Sequence, residues 1–346
     1  MEVSVVIPTY NQRERLRLVL SGLESQSLPP ECFEVLVIDD GSTDGTTEML
    51  DALHIDNMKP IRLYPNEGRC SARNRGINQA AGDLVVLLDG DALPAPDLLQ
   101  TYLDAFREHG PDSVLCGQLY SLAELEFFQD PQRGSLAAVA IPSVQKDYLE
   151  SHRAELILTE AMVRHDFAAI RERALPGGYP FPELEQMQDE QIDLFRRCPD
   201  AAVAWLGLTP HNSALPREVL RSISGFDINI PFCEGWELAY RCQQYGCRLY
   251  GVPADTYHLY HHHDFNAAET AVRHRAIEYM ADKFQEPRIR LLYFWFAHLW
   301  PDPFLPEESL VEDLVEFDRR YRTLTDADWQ QYQFLLDHRP NQWALG

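Results

Sequence analysis

Leu84-Val85-Val86-Leu87-Leu88-Asp89-Gly90-Asp91 is the stretch on which the reading of this chain turns. Five apolar residues in a row suit a strand buried on both faces, the pattern of a parallel sheet. The run then stops on two carboxylates two residues apart. Like charges this close disfavour each other's ionised form. They become favourable beside a divalent cation and the phosphates that it carries. The plain alternative is a solvated Asp-Gly-Asp turn after a core strand, and the residues upstream decide between the two.

Two further apolar runs precede it, Val3–Ile7 and Val35–Ile38. A helical pattern over Arg13–Gln26, with Leu16, Val19, Leu20 and Leu23 on one face, separates them, and a weaker one over Thr46–Leu53 follows. Strands alternating with helices predict βαβ units in a parallel sheet, whose ligands bind beyond the carboxyl ends of the strands. The three strand ends carry Pro8-Thr9-Tyr10-Asn11, Asp39-Asp40-Gly41-Ser42 and Asp89-Gly90-Asp91, so the polar chemistry converges on one sheet edge. Neither GxGxxG nor GxxxxGK[ST] occurs. Without a glycine-rich cradle, bound phosphates need a metal, which points again to Asp89 and Asp91. Asp44 is expected to cap the helix that begins at Thr46.

Composition narrows the classes. The chain has 346 residues, 45% of them hydrophobic, and a formal net charge of −24. An acidic surface argues against nucleic acid and anionic membranes as partners. The seven cysteines are scattered without a CxxC pair, as in a reduced, cytoplasmic protein. The chain enters a strand at Val3 with no leader-like segment, and no apolar run reaches the roughly 18 residues of a membrane span. Leu291–Phe296 reads as part of a buried helix, with a partner or membrane-surface contact as the alternative.

Five blocks in order, Val-Val-Ile-Pro-Thr-Tyr-Asn (5–11), Val-Ile-Asp-Asp-Gly-Ser-Thr-Asp (37–44), Asn-Glu-Gly-Arg-Cys-Ser-Ala-Arg-Asn-Arg-Gly-Ile (66–77), Ala-Gly-Asp (81–83) and Leu-Asp-Gly-Asp (88–91), resemble the signature of family 2 glycosyltransferases over about the first hundred residues. The resemblance implies an α/β GT-A fold, Rossmann-like, with a mostly parallel sheet flanked by helices. It implies a transferase of hexosyltransferase type that uses a nucleotide-sugar donor, UDP-linked by preference, and Mn2+ or Mg2+. By the same resemblance Pro8, Thr9 and Tyr10 line the base pocket, one of Asp39 and Asp40 bonds the base or ribose, and Arg73 reaches the base or phosphates. Asp91 would be the direct metal ligand, and Asp89 would serve the ribose or the metal's water shell. His258 falls at the family's late metal ligand, with His261 as runner-up.

The acceptor side departs from the pattern. Inverting relatives carry Glu-Asp-x-Glu, with the Asp as general base. Here the block is Glu234-Gly235-Trp236-Glu237, on a helix expected to start near Gly235. Glu234, Glu237 or no base at all remain open, and His211 is a further acceptor-side candidate. The absence of Gln-x-x-Arg-Trp argues for transfer of one sugar rather than polymerisation. Expected boundaries are 1–118 for the donor half, 119–200 for a helical insertion that could cover the acceptor, 201–264 for the acceptor-side half, and 265–346 for a helical extension. The extension is expected as helices over Ala267–Phe284, Glu308–Thr323 and Asp326–His338, to pack on the core, complete the acceptor site or pair two copies as a homodimer. The acceptor class, whether glycan, small molecule, lipid or peptide, stays open. A retaining enzyme without a base and a nucleotide-sugar-binding protein that has lost catalysis are the alternatives.

Overall fold

The computed structural model describes residues 1–178, 180–198, 200–262, 267–300 and 305–338, with backbone only over 267–270. The three apolar runs form β1 (Val3–Thr9), β2 (Phe33–Asp39) and β4 (Leu84–Leu88), joined by α1 (Arg13–Glu24), α2 (Thr46–Ala52), the edge strand β3 (Met58–Arg62) and α3 (Arg69–Gln79). After β4 the chain continues through β5 (Ala92–Pro94), α4 (Leu98–His109) and β6 (Ser113–Ser121). The later sheet strands are β9 (Leu175–Pro176), β10 (Asn212–Pro216) and β11 (Arg248–His258), and a separate small hairpin is made by β7 (Phe128–Asp130) and β8 (Ser135–Leu136).

The main sheet has nine strands in the order β3-β2-β1-β4-β10-β6-β11-β5, with β9 on β6. Strands β1 to β4 are mutually parallel. β10 enters antiparallel between β4 and β6. β11 runs parallel to β6 and takes β5 antiparallel on its other side. Alternation across the pleat splits the core into two layers. Val6, Leu36, Ile38, Val85 and Leu87 face one side; Val5, Ile7, Val35, Val37, Val86 and Leu88 face the other. Every residue of β1 and β4 is buried.

Region 119–200 is drawn into this core. β6 crosses the expected boundary at 118/119, and β9 returns to it in the register Tyr120↔Pro176. The helical stretch of this region is divided into α5 (Ser143–Ser151), α6 (Arg153–Leu156), α7 (Glu160–His165) and α8 (Phe167–Arg173), followed by α9 (Pro182–Arg197). Local polar groups break it: the Ser151 hydroxyl bonds the Asp147 and Tyr148 carbonyls, and Thr159 caps α7 by accepting from Met162 N–H. Leu149, Leu158, Val163 and Ile170 are buried in the layer shared with α1 and α4.

The remainder is helical: α10 (Arg217–Ser222), α11 (Glu234–Tyr245), α12 (Ala267–Phe284), α13 (Leu292–Leu299), α14 (Leu314–Thr323) and α15 (Asp326–Asp337). α14 starts later than the sequence pattern suggests because Asp313 caps it, accepting from Glu316 N–H. α13 packs its aromatic residues in the layer with α3 and α11, as expected for a buried helix. No helix among the described residues is long and apolar enough to cross a membrane.

Candidate active site

β4 delivers Asp89 and Asp91 where the sheet opens. The chain reverses into β5, whose pairing with β11 sets Ala92 opposite His258. That register, with a backbone bond from Leu259 N–H to the Asp91 carbonyl (2.8 Å), brings a residue of the first hundred beside the last strand. Asp91 Oδ2 accepts from Gln12 Nε2 at 2.6 Å and lies 3.3 Å from His261 Nε2 and 3.9 Å from His258 Nε2. Nδ1 of His258 is 2.8 Å from the Gly178 carbonyl. A carbonyl only accepts, so Nδ1 carries the proton and Nε2 is the acceptor nitrogen on the Asp91 side. One atom from each of Asp91, His258 and His261 lies within 4.8 Å of the others.

The electrostatics suit a cation. Burial opposes the Asp91 carboxylate, yet His261, His258 and Arg15 hold its pKa below the usual range. Burial pulls His258 down to about 4, only partly offset by Asp91, so its imidazole is neutral at pH 7, the form that ligates metals. One carboxylate with two imidazoles is a mixed donor set that could hold a divalent cation. Asp89 stands outside this cluster: its Oδ1 accepts from Arg73 Nη2 at 2.8 Å.

Beside it lies a cavity of about 410 Å³ lined by Pro8, Thr9 and Tyr10 from the β1 end, Asp40 from the β2 end, Asn66, Gly68, Arg69 and Arg73 from α3 and its approach, and Asp89 and Asp91. Of the Asp39–Asp40 pair only Asp40 faces it. Its two oxygens accept from Glu67 and Gly68 N–H (2.7 and 2.9 Å), which shapes the loop into α3. Asp39 turns away to Ser42 N–H and the Thr47 hydroxyl. Asp44 accepts from the first N–H of α2, at Thr46, and of α1, at Arg13. Thr9 Oγ1 and Arg73 Nε are buried without a hydrogen-bond partner among the described residues, and both residues line the cavity.

α11 brings one acid, Glu234, to the arginines of α3. Glu234 Oε1 is 2.9 Å from both Arg73 Nη1 and Arg69 Nε, so Arg73 bridges Glu234 and Asp89. Burial would raise the Glu234 carboxyl, but the two guanidiniums hold it below the usual carboxylate range. Burial lowers His211, keeping it neutral, in a field set by Asp89, Asp91, Arg73 and Glu234. Glu237 is placed elsewhere. It has no exposure, and Arg241 and Lys283 bind it at 2.6 to 2.7 Å, tying α11 to α12 away from the cavity. Gly235 does not face the cavity either: a Cβ there would sit 2.7 Å from Pro210 Cδ and 2.8 Å from the Leu208 carbonyl oxygen.

Sequence reasoning overlooked Gln12, Asn66 and Arg69. Arg69 lies one helical turn before Arg73, a spacing that puts both on one face and could have revealed it.

A nine-stranded, mostly parallel sheet with its polar strand ends gathered on one edge defines a GT-A glycosyltransferase fold. The chain belongs to glycosyl transferase family 2, whose model matches residues 4–176. It is 28% identical over 344 residues to an uncharacterized glycosyltransferase, YfnE of Bacillus subtilis, covering 97% of this chain and 81% of that one. Among solved structures it resembles residues 1–349 of S. aureus TarS in complex with UDP-GlcNAc (TM-score 0.52, 17% identity, 97% of this chain and 80% of that chain). It equally resembles the mannosyltransferase PcManGT of Pyrobaculum calidifontis in complex with GDP-Man and Mn2+ (TM-score 0.52, 17% identity, 97% and 79%). At this identity the structural likeness is one of fold.

Proposed function

We propose that this glycosyltransferase moves a single sugar from a nucleoside diphosphate donor to an acceptor nucleophile with inversion, using a divalent cation held by Asp91, His258 and His261. The observation that carries the reading is the meeting of that three-residue donor set with the edge of a cavity walled by Pro8, Thr9, Tyr10, Asp40 and Arg73. The cation, when bound, supplies positive charge to the diphosphate as it leaves. Mn2+ is favoured by the two imidazoles. UDP-sugars remain the first choice of donor, and the GDP-Man complex of a fold relative makes GDP-sugars the natural second arm.

In the proposed reaction the acceptor oxygen forms a bond to the anomeric carbon as the bond from that carbon to the diphosphate breaks. Glu234 takes the acceptor proton. Its pairing with Arg69 and Arg73 gives the base a switch, because diphosphate oxygens compete for the same guanidiniums. As Arg69, half exposed and lining the cavity, turns to the phosphates, Glu234 gains basicity. Gly235 lends little to a reading of lost catalysis, since its site has no room for a side chain.

A thermal-shift screen of UDP- and GDP-sugars with and without Mn2+ tests the donor, because a ligand of the folded state alone raises the melting midpoint. The reading expects at least one donor to act only with Mn2+ and to be slowly hydrolysed, with both effects lost in Asp91→Ala. A panel in which no donor responds to the cation rejects it.

A further inference from the structure

One buried cation stands behind the cation site and takes no part in the proposed reaction. Arg15, in the first turn of α1, is 8% exposed and pairs with no carboxylate among the described residues. Its guanidinium is spent on backbone carbonyls. Nε donates to Leu259 O at 2.8 Å, and Nη2 reaches Phe128 O at 2.8 Å, Tyr260 O at 3.2 Å and Leu125 O at 3.4 Å.

The identity of those carbonyls is informative. Leu259 and Tyr260 are the two residues between His258 and His261. The Leu259 peptide is gripped from two directions: its N–H donates to the Asp91 carbonyl and its own carbonyl accepts from Arg15. Leu125 lies in the connection after β6 and Phe128 opens β7, and Glu126 between them accepts from His262 N–H through its carbonyl. β11 ends at His258, so ladder hydrogen bonds hold the first histidine but not the second. A planar fork can hold several carbonyls in fixed directions, which a point-charge ammonium cannot.

We infer that Arg15 is a positioning residue for the cation site: it clamps the span between His258 and His261 and so sets the distance of both imidazoles from Asp91. The assignment rests on the metal reading above. Arg15 touches neither donor nor cation. It acts as groups behind metal ligands commonly do, by fixing ligand orientation, and loss of such groups weakens metal binding by about 10- to 100-fold.

The test is Mn2+ binding to the full chain without donor, followed by electron paramagnetic resonance of the free ion, with spin-echo modulation reporting nitrogen bound to the metal. Arg15→Met is expected to weaken Mn2+ by about tenfold or more and to reduce the nitrogen modulation. Arg15→Lys, which keeps the charge and loses the fork, should fall between it and the wild type. Merely structural damage would lower the melting midpoint without changing nitrogen coordination in the Mn2+-bound fraction. Wild-type affinity and modulation in a folded Arg15→Met overturn the inference. If Arg15→Met does not fold, Arg15→Lys decides, and wild-type binding by it overturns the inference. If the wild type binds Mn2+ no better than Asp91→Ala does, the metal reading has failed and the Arg15 assignment falls with it, an outcome visible before any Arg15 variant is made.

Discussion

Restoring the family's aspartate, Gly235→Asp, is expected to damage this enzyme rather than improve it. Residue 235 is the second of α11 and packs against Pro210 and the Leu208 carbonyl. A Cβ at 2.7 Å from Pro210 Cδ falls well inside ordinary contact, which begins at 3.4 Å, and its two obstacles, a proline ring and a backbone oxygen, cannot rotate aside. Overpacking of this kind costs about 1–3 kcal/mol. Against it stands the helix preference for Ala over Gly, about 1 kcal/mol. Gly235→Ala should therefore lose between about 0 and 2 kcal/mol. Asp adds a carboxylate aimed at a carbonyl oxygen beside Glu234, and an unsatisfied buried polar group costs about 1–3 kcal/mol more. The sum for Gly235→Asp is a loss of about 1–5 kcal/mol, the small gain in propensity being swamped. Urea unfolding of both variants with turnover measured in parallel checks this, with the midpoints expected in the order wild type, Ala, Asp and no gain in rate. A Gly235→Asp protein as stable as the wild type and faster would refute the packing argument and return the base to position 235.

Three further outcomes are expected. Arg69→Gln removes one of the two cations that hold Glu234 ionised; the free-enzyme carboxyl rises toward its ordinary value, so the acid limb of kcat/KM moves to higher pH, and a limb that stays in place removes Glu234 as the base. His258→Asp replaces a nitrogen donor by oxygen and should narrow the preference for Mn2+ over Mg2+, read from the midpoint shift with each ion; an unchanged preference excludes His258 from the site. Asn212→Ala should cost about 3 kcal/mol in urea unfolding, because the Tyr102 hydroxyl and the Gln118 and Ala254 carbonyls all lose a partner in a fully buried place; a loss near zero would mean that water replaces the amide.

The donor half was legible because its strands are buried on both faces and so appear as unbroken apolar runs. Strands that broke the rule were missed for identifiable reasons. β3 lies at the sheet edge, half exposed, with Lys59 and Pro60 inside it. β10 crosses the centre of the sheet yet begins Asn212-Ser213; the Asn is tolerated because its amide bonds Tyr102 and two carbonyls. Pro253 reads as the end of the last strand, but β11 passes through it by shifting register between Gly251 and Asp255, and so carries His258 as its final residue. Among the acids, residue type could not tell which face of α11 meets α3. Glu234 and Glu237 are one turn apart, yet only the first meets the arginines of α3, while the second is consumed by Arg241 and Lys283. Arg15 could not be read at all, since its partners are backbone groups far away in sequence.

The pairing of β5 with β11 also has a temporal consequence. A ribosome delivers this chain from its N terminus, so Asp91 and the donor cavity emerge long before the two histidines. Until β10 and β11 arrive, β4 presents an open edge, and the half-built sheet has Asp91 without the two imidazoles that the finished fold sets beside it. Residues 4–176, the segment matched by the family model, contain Asp91 and neither imidazole. On the proposed chemistry, a polypeptide that stops short of His258 lacks both imidazoles and should not bind the cation as the full chain does.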